Sequence, residues 1–295
     1  MNCMCGCQPS VSSQSDLYQA KSIGTSNERY AVTQQRAMLK QVDAVYPKIV
    51  RTLNHQSAQA VERLGNGMSA IPLTYRTSWA EELVAAKLDN AIKSGAVGWA
   101  LAKYSPHFQK TKGMPSVEVL VAQGLTEEEA QAFLSSPTPI KIEEYLKLTA
   151  NREAARHAKR ISEIAEGFKL EYNYFSSKLA NQLLVEFEAF DKVYARMLAR
   201  TSIVWANNEG AMNRMIDAGF SKKQWYTTAD ELACPYCNDI NGSVAGAREA
   251  FVEANGFVEG VPNADGSFVQ PLMMPEWPTT HPPLHPNCRC VILAA

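Results

Sequence analysis

The sequence has no uninterrupted apolar run of about 18 residues, so no membrane-spanning helix is expected. Neither charge is in excess: 29 Lys and Arg stand against 30 Asp and Glu, a net charge of −1. That balance excludes a global positive field of the kind that wraps nucleic acid. Cysteine is sparse and odd in number, seven in 295 residues, too few for a disulfide scaffold of this size. The opening stretch Met1–Pro9 has no basic segment followed by an apolar one, so no secretory signal is expected there. A reducing compartment is therefore the default, and grouped cysteines there bind metal more often than they pair. Catalytic signatures are missing too: G-x-x-x-x-G-K-[ST], G-x-S-x-G and H-E-x-x-H do not occur. No repeat of fixed period is present.

Against these absences, hydrophobic residues at 46% and charged residues at 20% are ordinary for a globular chain. The composition changes near residue 220. Residues 221–295 hold four basic and eight acidic side chains, a net −4 that leaves +3 for residues 1–220. Eight of the 15 prolines also fall in those last 75 residues, where long helices cannot form. The expected division is a flexible N-terminal tail over 1–27, a helical body over 28–220 and a loop-rich module over 221–295. In the tail, Cys3, Cys5 and Cys7 lack a fourth ligand nearby and carry no assigned role.

The helical body is legible from periodicity. Met38, Val42, Val45, Ile49 and Leu53 keep 3–4 spacing and predict a helix from about Glu28 to Leu64, kinked at Pro47 and stopped by Gly65-Asn66-Gly67. Ser78 with Glu81, and Thr126 with Glu129, read as capping boxes. The apolar series from Ile161 through Phe168, Phe175, Phe187 and Tyr194 to Met197 averages 3.6 residues per step over 36 residues. That period predicts a buried α-helical face roughly 54 Å long, with Gly167 as the expected break. Val117–Leu134 mimics a helix-turn-helix, but its second helix opens Glu127-Glu128-Glu129, which repels phosphate.

The chemistry is concentrated in the module. Cys234-Pro235-Tyr236-Cys237 is followed, after 47 residues, by His285-Pro286-Asn287-Cys288-Arg289-Cys290. Zinc takes four thiolate or imidazole ligands in a tetrahedron, and a C-x-x-C turn supplies two of them. The candidate ligands are Cys234, Cys237, His285, Cys288 and Cys290, five donors for four places, with one of Cys288 and Cys290 expected to pack in the core. A structural Zn²⁺ would supply folding energy that a Pro-rich, acidic segment lacks. Val291-Ile292-Leu293 reads as a short buried strand, and His281, flanked by proline, as part of a surface loop. Two rival chemistries attach to the same cluster. A thiol oxidoreductase needs a buried strand before Cys-Pro-Tyr-Cys and a helix after it, whereas Asn238–Gly242 is turn chemistry. A metal-assisted nuclease needs an open coordination position, which a full Cys/His set does not leave.

Trp225, Thr227 or Thr228, Asp230, Cys234, Cys237, Gly242 and the run Pro282-Pro283-Leu284-His285-Pro286-Asn287-Cys288-Arg289-Cys290 occur in that order. In this the module resembles the Mu F-type head morphogenesis family of tailed bacteriophages, the minor capsid proteins. The likeness covers about 70 residues together with the helix 200–220 leading into them. It implies a non-enzymatic minor head protein inside the virion, assembled in the host cytoplasm. The implied partners are the phage portal protein, the major capsid protein and packaged double-stranded DNA, with no membrane. The expected fold is mainly α, an elongated helical N-terminal body with a small α+β, metal-stabilised C-terminal module. Trp225 is expected to pack over the Cys-x-x-Cys turn, Asp230 to cap it, and Arg289 to pair with Asp230 or Asp239.

Overall fold

A computed structural model describes residues 26–65, 73–102, 121, 126–171, 177–227, 233–262, 267 and 269–295. Among the described residues, the helical part comprises α1 (Ser26–Gly65), α2 (Leu73–Ala102), α3 (Glu127–Ser135), α4 (Thr138–Glu171) and α5 (Ser177–Asp217). Then follow β1 (Lys222–Tyr226), the short helix α6 (Pro235–Asp239), β2 (Val244–Gly246), β3 (Phe257–Val258), β4 (Leu272–Met273) and β5 (Val291–Ala294). The mainly α fold with a small α+β region at its end is as the sequence predicts. Cys3, Cys5, Cys7, Gly67 and Asp230 lie outside the described residues.

In α1, Met38, Val42, Val45, Ile49 and Leu53 are all buried, forming the stripe that the spacing predicts. The helix runs on through Pro47, which sits on its exposed side. At the start of α3 the Glu129 carboxylate accepts the Thr126 backbone N–H at 2.9 Å, so this capping residue works as expected. Ser78 does not cap anything: α2 already begins at Leu73. Tyr75 and Trp79, four residues apart, carry the apolar stripe back past Ser78, and Trp79 is buried against α1. Burying that indole outweighs the preference of a serine for a helix end.

The long stripe of Ile161–Met197 is buried, but not in one helix. It is shared between α4 and α5, and Tyr172 and Phe175 fall outside the described residues. Gly167 is interior to α4, with open space at its Cα, so it is not the break. The two helices run antiparallel. Lys141 meets Glu209 and Asn213, Tyr145 stacks on Trp205 at 3.9 Å, Tyr194 donates to the Glu153 carbonyl, and His157 meets Asp191. A 3.6-residue period survives a hairpin because both helices turn the same kind of face to the core.

Helices α2 and α5 pack backbone to backbone. A Cβ on Gly98 would overlap the Asn207 carbonyl, and one on Gly210 would overlap the Gly95 carbonyl. Ser94 Oγ donates to the Ile203 carbonyl at 3.1 Å, and Asn207 Nδ2 donates to the Ser94 carbonyl at 3.1 Å. Polar pairs inside the bundle are matched: Lys87 with Glu153, and Ser57 and His157 both with Asp191.

The sheet order is β2-β1-β5, all antiparallel, with Trp225 opposite Ile292. All four residues of β5 are buried. Val291 joins the helical core, while Ile292 and Ala294 pack with Ala211, Met212 and Met215 of α5. The outer edge of this segment is tied to helices. Asn208 Oδ1 accepts the Ile292 N–H, Asn208 Nδ2 donates to the Cys290 carbonyl, and Gln35 Nε2 donates to the Arg289 carbonyl. Side chains from two helices thus satisfy what would otherwise be an open sheet edge.

Candidate metal centre

The first half of the cluster is a capped helical turn. Cys234 is the N-cap of α6, Pro235 occupies the first helical position, and the Cys234 sulfur accepts the Cys237 N–H at 3.4 Å. The expectation of a turn without a helix start is therefore corrected: one turn of helix forms, and Asn241-Gly242 reverses the chain after it. Gly242 has φ +84° and donates its N–H to the Trp225 carbonyl at 2.9 Å, which returns the chain to β1. Trp225 is fully buried in the same apolar cluster as Cys234 and Cys237, as predicted. Its ring meets Phe251 edge-on at 5.3 Å.

The second half is held by a different turn. Asn287 takes φ +66°, a left-handed conformation that asparagine tolerates, and the Cys288 N–H donates to the His285 carbonyl. The His285 Nδ1 lies 2.7 Å from the Pro286 carbonyl. A carbonyl only accepts, so Nδ1 carries the proton and Nε2 keeps its lone pair for a thiol proton or a metal ion. That Nε2 points at the thiols, 3.0 Å from Cys234 Sγ and 3.2 Å from Cys237 Sγ. Cys237 Sγ is 3.7 Å from Cys288 Sγ.

All five predicted donors converge and all are buried. They form two overlapping triads, Cys234–Cys237–His285 and Cys237–Cys288–Cys290, in each of which the donor atoms lie within 4.8 Å of one another. Zn–S bonds of about 2.3 Å in a tetrahedron place two thiolates about 3.8 Å apart, close to the Cys237–Cys288 separation. Soft sulfur and imidazole donors, gathered at buried positions, fit a metal ion. Cys288 and Cys290, two residues apart in extended chain, do not part to opposite sides: both face Cys237.

Electrostatics distinguish the thiols. Hydrogen bonding to Cys234, then to Cys288 and Cys290, pushes the Cys237 thiol well above its ordinary value. Burial acts to raise Cys288, but hydrogen bonds from Cys237 and Cys290 and the nearby His285 carry it well below. Burial raises Cys290. Thr227 explains the position of Cys290. Its hydroxyl donates to the Cys237 carbonyl at 2.7 Å and lies 3.3 Å from Cys290 Sγ. Either group can be the donor in the second contact, which seats the Cys290 sulfur against Thr227.

His281 is not in the cluster, and it is not on a surface loop. It is buried, its Nε2 is 3.1 Å from Glu209 Oε2, and its ring tilts against Trp205 at 5.1 Å. Sequence reasoning missed its partner because Glu209 lies 72 residues away on α5. It missed a second buried group as well. Ser57 Oγ donates to Asp191 Oδ2 at 2.8 Å, and His157 Nε2 is 2.8 Å from Asp191 Oδ1. These are the residue types of a hydrolase triad. Here the Ser57 hydroxyl donates to Asp191 at 2.8 Å and lies only at 3.5 Å from His157 Nε2, and all three residues are buried, so the carboxylate rather than the imidazole holds the hydroxyl.

No curated protein and no solved structure matches the chain. The family described as Phage Mu protein F like protein matches residues 174–293. That span takes in α5, β1, both halves of the Cys/His cluster and the buried strand that seats them on the helices. Residues 174–293 are thus similar to the phage Mu protein F like family, which suggests a protein of phage head morphogenesis.

Proposed function

We propose that this protein is a non-enzymatic minor head protein of a tailed phage. It binds the portal inside the head, and its C-terminal module is held by one structural Zn²⁺. The ligands are Cys234, Cys237, His285 and Cys288, with Cys290 behind them as a thiol on Thr227. The observation that carries the reading is the buried Cys/His cluster, which joins the two ends of a family-matched module and leaves its donors facing one another. When bound, zinc supplies folding energy to that segment. The protein residues orient the donors: Pro286 fixes the histidine tautomer, and Thr227 lies against the fifth sulfur. A filled site of four protein ligands activates no water, which argues against nuclease chemistry. The antiparallel setting of the Cys-Pro-Tyr-Cys turn differs from the parallel strand–helix unit of thiol oxidoreductases.

Co-expression with the portal and major capsid proteins of the same genome tests this reading. The protein is expected to co-sediment with portal rings at low copy number, and heads made without it are expected to package or deliver DNA poorly. Metal-dependent DNA cleavage, lost in His285→Ala with the fold intact, would overturn it.

A further inference from the structure

The two-stranded ribbon β3–β4 places Phe257 directly opposite Met273, and side chains of opposed residues share one face of a ladder. Phe257 is 56% exposed and Met273 66% exposed. Their neighbours point the other way: Val258 is buried in the cluster that contains Cys234 and Cys237, and Leu272 packs against it. An aromatic and a methionine side by side in water are the residue types enriched where protein surfaces meet. Exposed acids flank them in sequence, Glu253 before β3 and Glu259 after it; Glu276, beyond β4, pairs with Arg152 at 3.9 Å.

The ribbon is also anchored. The Met274 N–H donates to the Gly256 carbonyl at 2.8 Å, and the Asn255 N–H donates to the Pro275 carbonyl at 2.9 Å. The remaining ties run to the Cys-Pro-Tyr-Cys turn. Tyr236 Oη donates to the Gln270 carbonyl, the Gly260 N–H donates to Asp239 Oδ2, and the Val261 N–H donates to the Pro235 carbonyl. The helical turn that carries two of the candidate metal ligands therefore sets the position of the exposed pair.

We infer that the Phe257–Met273 face is a docking surface for a protein partner, whose matching site is an apolar recess rimmed by Lys and Arg. Glu253 and Glu259 disfavour DNA and anionic lipid as occupants of this face, because both would meet like charge. The aromatic ring and the thioether fill the recess, and the glutamates steer the encounter. This inference rests on the head-protein reading for its probe, the purified portal ring.

The test compares the full-length wild type with Phe257→Asp/Met273→Asp, both checked for melting temperature and zinc content. Both side chains are exposed, so fold and metal should be unchanged. The double variant is expected to bind portal rings about thirtyfold more weakly or worse, as for central interface anchors. Glu253→Lys/Glu259→Lys is expected to slow association and to weaken its dependence on salt. Wild-type binding that the double variant retains in full overturns the docking surface and leaves the portal reading standing. No binding by the wild type overturns the portal reading, and the docking assignment to it. If the double variant loses its fold, Phe257→Ser and Met273→Ser separately decide the same question.

Discussion

At the scale of single residues, Cys237 stands apart because it belongs to both donor triads. Cys288 and Cys290 are equivalent in the sequence but not in the structure, where only Cys290 contacts the Thr227 hydroxyl. Cys288→Ser is therefore expected to abolish zinc binding, and Cys290→Ser to retain it, measured as metal per chain after purification under reducing conditions. Loss of zinc from both variants alike would count against the four-ligand assignment. Glu209 offers a second test. Burial raises its carboxyl, but the hydrogen bond and charge of His281, and then those of Lys141, outweigh it and bring it down to about 2 from an ordinary 4.5. A depressed folded value means that the stabilisation is complete above about pH 4.5 and is lost as pH falls towards 2. It amounts to about 3 kcal/mol. Denaturant titrations should show Glu209→Gln less stable than wild type at pH 7, with the gap closing through that acid window.

At the scale of elements, the glycines of the helical body divide by their surroundings rather than by their sequence. Gly98 and Gly210 sit where α2 and α5 touch through their backbones. Gly98→Ala or Gly210→Ala should lower stability by about 1–3 kcal/mol or more, because main-chain carbonyls cannot move aside as a flexible side chain can. Gly167 is helical with open space around it, so Gly167→Ala should raise stability by about 0.5–1 kcal/mol. Chemical denaturation midpoints of the three variants decide the matter, and equal effects would sink the close-crossing account. The same elements show how far periodicity reaches. The 3.6-residue spacing from Ile161 to Met197 identifies buried faces correctly, yet carries no sign of the chain reversal between α4 and α5. Folding back leaves the facing residues in phase.

At the scale of the whole molecule, the module and the helices share core. Val291 lies in the helical cluster, and Glu209, Trp205, Asn208 and Gln35 reach across to residues 281–292. We nevertheless expect Cys237→Ser to loosen the segment around the donors without melting the helices. The helical core is built from α1 to α5, with Val291 as its one buried contribution from β5 among the described residues. Limited proteolysis should cut this variant only between residues 221 and 290, while helical circular dichroism persists. Loss of the helical signal as well would mean that module and helices fold as one unit.

The residue types alone determined much of this protein. The mainly α class, the burial of the α1 stripe, the Thr126 helix start, the burial of Val291-Ile292-Leu293 and the five metal-ligand candidates all follow from local spacing and side-chain chemistry. Tertiary structure decided the rest. It moved the start of α2 ahead of Ser78, because Trp79 has a core to enter. It took His281 into the interior, because a carboxylate 72 residues away waits for it. It separated Cys288 from Cys290, because the Cys290 sulfur is seated against the Thr227 hydroxyl. Spacing along the chain specifies which groups a segment offers. Which partner each group meets depends on elements far away in sequence, and only the folded packing brings them within reach.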